Sequence, residues 1–153
     1  MKHLPNTKWF KAYNPVSGTT DDALSSAIDA TGASYMTVLV HVGAIATTWT
    51  TFEITNSAAT SGTYASVTGG DITDAVIGTA AMPANGGIGV NALYQFQVPV
   101  DQFANKFWKI KTVVGSGATV QGMLVGLEDD NADGNNSDAT NTGCTAVIRV
   151  PTP

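Results

Sequence analysis

The stretch DDNADGNNSDATNTG, positions 129 to 143, holds the one spacing in the chain that suits a defined chemistry. Asp129, Asn131 and Asp133 alternate and are followed by Gly134. That is the D-x-[DN]-x-[DN]-G opening of a calcium loop, in which alternate oxygens converge on the ion and the glycine permits the sharp turn. The match then stops. Position twelve is Thr140 where a calcium loop carries a bidentate Glu, and strands rather than helices are expected on either side, so an ion would be held weakly or with help from Asp138. Asp and Asn are also the ordinary residues of solvated turns, which makes a plain loop the heavier of the two readings. In either case contact, rather than catalysis, is the expected use of the segment.

Other chemistry is sparse. The two histidines fall at His3, near the terminus, and His41, in a strand-like run, and neither has a sequence neighbour that would complete a Ser-His-Asp arrangement. No G-x-S-x-G elbow accompanies the Ser-Gly pairs. The glycine-rich NGGIG at 85 to 89 lacks both a following helix and a Lys-Ser/Thr ending, so it reads as a loop and not as a phosphate cradle. Lys106, Lys109 and Lys111 interleave with Phe107, Trp108 and Ile110, a pattern that reads as the solvated side of a strand. Cys144 is the single cysteine, which excludes an intrachain disulfide framework, and it reads as a small buried hydrophobe.

The elements that would position these groups are strands. In YMTVLVHV (35 to 42), Met36, Val38, Val40 and Val42 fall on one side of a period-two pattern and Tyr35, Thr37, Leu39 and His41 on the other. After a break from Gly43 to Thr48, Phe52 and Ile54 alternate with Thr51, Glu53 and Thr55 on a half-buried pleated surface, so the pair forms a hairpin or crosses between sheets. ALYQFQVPV sets Tyr94, Phe96, Val98 and Val100 against Gln95 and Gln97. Further strand-like runs are TKWFKAYN (7 to 14), ALSSAIDA (23 to 30), TYASVTG (63 to 69), FWKIKTVV, ATVQGMLVGL and TAVIRV (145 to 150). DITDAVIG (71 to 78) is a strand or a loop, and DQFANK (101 to 106) a turn-like or helical excursion. About eight short antiparallel strands with polar loops describe an all-β chain, an antiparallel β-sandwich with a jelly-roll topology first and an immunoglobulin-like one second. Residues 1–15 form either an arm across a neighbouring subunit or the first strand, with Leu4, Trp9, Phe10 and Tyr13 as its apolar anchors, and residues 16–153 form a single domain.

Composition narrows the partners. Charged residues make up 12% of the chain, about half the roughly 25% of an ordinary soluble domain. A neutral polar surface has few charges to keep copies apart, which favours assembly into a homo-oligomer. Only 7 Lys and Arg stand against 12 Asp and Glu, giving a net charge of −5, which argues against nucleic-acid binding. No apolar run suits a signal segment or a membrane span, so a soluble protein assembled in a reducing cytoplasm, with no membrane partner, is expected.

The opening MKHLPNTKWFKAYNP, then IDATGASYMTVLVHVGAI, then FEITNSA leading to SGTYASVTG, resembles a family of small structural proteins, capsid decoration and head-associated, of tailed bacteriophages and prophages. The similarity covers roughly the first 70 residues and continues loosely into ALYQFQV and FWKIK, with a recurrent aromatic-x-x-Val element at Tyr64 and Val67. Where the family often has an acidic pair before the Gly-aromatic turn, this chain has Asn56 and Ser57, so no role of that pair carries over. The resemblance implies a non-enzymatic virion component assembled in the host cytoplasm, a decoration or cement protein on the outer head surface in many copies. Its partners would be the major capsid protein or other virion proteins. No catalytic residue and no cofactor are implied. The alternative is a carbohydrate- or receptor-binding β-sandwich module of a head fibre or tail, with Trp49, Tyr64 or Trp108 as stacking platforms and calcium in the 129 to 143 loop.

Overall fold

The computed structural model describes residues 7–13, 16–17, 23–24, 26–43, 45, 47–74, 79–84, 90–113, 119–128 and 146–153. Alternation dictates where each strand looks. On β5 (Tyr35–Val42), Met36, Val38, Val40 and Val42 are each 0% exposed while Tyr35, Thr37, Leu39 and His41 are half-buried, the two-sided pattern that the sequence spells out.

Two sheets form. The larger runs β1 (Thr7–Tyr13), β10 (Thr119–Glu128), β5, β8 (Ala92–Val98), β11 (Ala146–Arg149), with β2 (Val16–Ser17) also pairing β10. The smaller runs β3 (Ala23–Leu24), β9 (Phe107–Val113), β6 (Thr51–Ser57), β7 (Ala65–Asp71), with β4 (Ile28–Asp29) also pairing β9. The described chain is therefore all-β apart from one 3-10 turn at Val100–Gln102, which overlaps the stretch read as a turn-like or helical excursion at Asp101 and Gln102 and takes in Val100, read as the end of the strand before it. Three of the strands are only two residues long: β2, β3 and β4. Thr7–Tyr13 takes the edge of the larger sheet beside β10.

Consecutive strands β5 and β6 lie in different sheets, so the break at 43–50 is a crossing and not a hairpin. Its far end is tied down twice: Trp49 N–H donates to the Pro83 carbonyl at 2.9 Å and Thr50 N–H to that of Val113 at 3.0 Å. The inner faces of both sheets share one apolar cluster. Phe52 of β6 meets Tyr94 and Phe96 of β8 edge-to-face, with ring centroids 5.0 and 5.4 Å apart, and Trp49 packs on its other side at 5.2 Å. Such geometry sets the positive ring edge against the negative ring face.

Two expectations are corrected. The larger sheet is mixed, because β11 runs parallel to β8, and alternating hydrophobicity carries no information about direction when no tight turn joins the pair. The run 23–30 divides into β3 and β4, which pair separate positions of β9. The polar faces of β6 and β8 are covered as well: Glu53, Thr55 and Ser57 are 7%, 1% and 4% exposed, and Gln95 and Gln97 are 8% and 4%.

Tyr94 supplies a test of the core. Its hydroxyl is buried without a hydrogen-bond partner among the described residues, and burial raises its pKa above the ordinary 10.0. Because the folded pKa is the higher one, the stability this group contributes is fully present below pH 10.0 and is lost as pH rises through the folded value. Tyr94→Phe is expected to leave stability at neutral pH unchanged or higher by about 1 kcal/mol, since it removes an unpaired buried hydroxyl, and to flatten the alkaline decline. Urea titrations at neutral and alkaline pH would check this; a variant clearly weaker at neutral pH would contradict it.

Candidate contact surface

The outer face of the smaller sheet gathers a cluster of charged and polar side chains, Glu53, Asp71, Lys109, Lys111 and Tyr64. Register makes it so: β6 pairs β9 with Glu53 opposite Lys111, Thr55 opposite Lys109 and Ser57 opposite Phe107. On the far side β7 sets Asp71 opposite Glu53 and Ser66 opposite Thr55. Residues directly opposite on one face lie within side-chain reach, so these pairs define the surface.

Its two lysines are each held by a neighbour on the face. Lys111 Nζ stands 3.5 Å from Glu53 Oε1, with the two side chains 35% and 9% exposed, so the carboxylate is sheltered and the ammonium stays wet. Lys109 Nζ lies 4.4 Å above the centroid of the Tyr64 ring, a cation on an aromatic face. Below it, Thr55 Oγ1 donates to the Lys109 carbonyl at 3.2 Å, and Tyr64 O–H donates to the Thr60 carbonyl at 3.2 Å. Burial raises the Tyr64 pKa above the ordinary 10.0. Asp71 Oδ1 accepts from the Thr73 N–H at 2.7 Å and from its hydroxyl at 2.6 Å, closing the turn at the end of β7. Asn105 Nδ2 donates to Asn56 Oδ1 at 3.2 Å, joining the end of β6 to the loop before β9.

What this arrangement leaves at the surface is the half-buried Tyr64, Lys109 and Lys111, over Glu53, Thr55 and Ser57, which are themselves covered. The residues that sequence reasoning put forward are scattered. Asp129, Asn131, Asp133, Asp138 and Thr140 of the calcium-like motif lie outside the described residues, as do His3, the NGGIG segment and Cys144. Among the described residues no group of three or more His, Cys, Asp or Glu side chains is placed to hold a metal ion. His41 lies half-buried on β5 of the larger sheet, opposite Leu93, away from this face. Lys106 does not join Lys109 and Lys111: its Nζ donates to the carbonyls of Val100 at 2.8 Å and Asp101 at 3.3 Å, closing the 3-10 turn.

The stacking platforms are corrected outright. Trp49 is 1% and Trp108 0% exposed, Trp49 against Phe52 and Trp108 edge-to-face with Phe103 at 5.1 Å, so neither can receive a sugar. Tyr64 alone of the three reaches solvent, and Lys109 occupies one face of its ring. Sequence reasoning missed the Glu53–Lys111 and Lys109–Tyr64 pairs, because the register of strands far apart in the chain is invisible in it.

The described geometry is that of an all-β, two-sheet chain whose smaller sheet carries one ion pair and one cation–ring contact on its outer face. Comparison with family models, with curated proteins and with solved structures finds no match.

Proposed function

We propose that this chain is a non-enzymatic bacteriophage virion structural protein, a jelly-roll-like β-sandwich that decorates the outer head surface in many copies and reinforces it. The observation that carries the reading is the outer face of the smaller sheet, polar, with Lys111 ion-paired to the sheltered Glu53 and Lys109 laid over the Tyr64 ring. Such a face neither repels like copies nor demands one charged ligand, which suits wet, repeated protein contacts. Among the described residues Val90, at 40%, is the only large hydrophobic side chain that is exposed, so attachment would rest on many weak contacts made firm by multivalency. The jelly-roll assignment is supported by the path of the chain, which changes sheet at β2 to β3, β4 to β5, β5 to β6, β7 to β8, β8 to β9 and β9 to β10. The resemblance of the first 70 or so residues to head-associated phage proteins points the same way.

Quantitative mass spectrometry of purified virions tests this. The protein is expected at a copy number set by the symmetry of the head. Its absence from particles would overturn the proposal.

A further inference from the structure

We propose that Arg149 is a carboxylate-binding site on the outer face of the larger sheet, its ligand an acidic side chain of this same protein. The inference goes beyond the head-surface reading and does not depend on it. Parallel pairing places the site: Ala146 and Ile148 stand level with Tyr94 and Phe96, which look into the core, while Val147 and Arg149 stand level with Gln95 and Gln97 on the outer face. Arg149 Nε donates to Gln97 Oε1 at 3.2 Å. That bond fixes the guanidinium plane and leaves its Nη1–Nη2 end for a ligand. Nη2 is buried and has no hydrogen-bond partner among the described residues.

The surroundings make an unpaired cation unfavourable. Gln95, Gln97 and Val147 on the same face are 8%, 4% and 5% exposed, so water reaches little of it. A guanidinium edge withdrawn from water needs an anionic acceptor, and a carboxylate offers two oxygens in one plane, the match to two parallel N–H groups. Among the described residues no carboxylate is paired with Arg149. Glu128, opposite Tyr35 on β10, stands three strand spacings from β11, ~14 Å at ~4.8 Å per strand, beyond the reach of an ion pair.

The sequence points to the protein's own acids. Arg149 is the only basic residue after Lys111, whereas Glu128, Asp129, Asp130, Asp133 and Asp138 fall between the two. An acid-rich end of the chain thus carries a single cation. The ligand chemistry is the same whether the carboxylate comes from the same chain or from a second copy.

Urea unfolding of the purified full chain and of Arg149→Met, each over a dilution series, is the test. Methionine keeps an unbranched apolar stem and removes the charge, so the sign of the effect decides. A carboxylate left without its cation is expected to raise the unfolded-to-folded ratio at least about tenfold, whereas removal of a guanidinium that holds no ligand would leave the variant as stable as the wild type or more so. A loss at every concentration that is non-additive with Asp129→Asn, Asp130→Asn, Asp133→Asn or Asp138→Asn assigns the ligand to the same chain. A loss that emerges only as concentration rises assigns it to a second copy. Should Arg149→Met fail to fold, Arg149→Lys, which keeps the charge and loses the planar fork, is read against the same four substitutions. A variant no weaker than the wild type at any concentration, or a concentration-independent loss that couples to none of the four aspartates, would overturn the proposal.

Discussion

Phe52→Ala is expected to remove about 3–5 kcal/mol of folding stability, out of a total of about 5–15 kcal/mol for a chain of ordinary stability. Phe52 is 0% exposed and makes edge-to-face contact with Trp49, Tyr94 and Phe96. It stands on β6 of the smaller sheet while Tyr94 and Phe96 stand on β8 of the larger, so the ring is a direct tie between the layers. Alanine would leave a void bounded by large rings on rigid strands, and such a site collapses poorly. Urea unfolding followed by tryptophan fluorescence reads the effect, because Trp49 packs on the same ring. A loss below about 1 kcal/mol would mean that the sheets are held elsewhere.

Gly70→Ala is expected to cost about 1–3 kcal/mol and to lower the Tm by several degrees. A Cβ at Gly70 would stand 2.9 Å from the carbonyl oxygens of both Ile54 and Val67 and 3.0 Å from Ile54 Cγ2. Two of those three atoms belong to strand backbone and cannot swing aside. The preceding Gly69 has φ of 70°, a left-handed conformation that glycine adopts without strain. The two residues together form the turn of the β7 bulge, which is why the sequence has Gly-Gly inside a strand. Differential scanning calorimetry of the variant checks the effect; an unchanged Tm would show that the bulge relaxes freely.

The sequence made some features legible and hid others, for identifiable reasons. The β5 alternation of Met36, Val38, Val40 and Val42 against Tyr35, Thr37, Leu39 and His41 transfers directly, because period two is a property of the backbone and depends on nothing distant. On β8 the same argument places Tyr94, Phe96 and Val98 inward, yet Gln95 and Gln97 are buried as well. Arg149 Nε donates to Gln97 Oε1 at 3.2 Å from the neighbouring β11, a contact set by long-range pairing that no local pattern encodes. Trp49 was misleading for a similar reason. It stands in a break between strands, where exposure is the usual expectation, but that break carries the chain from one sheet to the other and its indole plugs the core on the way. The contact surface itself was half legible: Lys109 and Lys111 read correctly as one strand face, whereas their partners Tyr64 and Glu53 come from segments joined to it only by folding.

A cryo-electron reconstruction of the intact virion bears most directly on the central claim, that this two-sheet chain works through surfaces meeting other surfaces on a phage head. The account predicts symmetric copies of a small β block on the outside of the shell, with the outer face of the smaller sheet against a protein neighbour. Density for it confined to the tail tip, or none on the particle, would contradict the account.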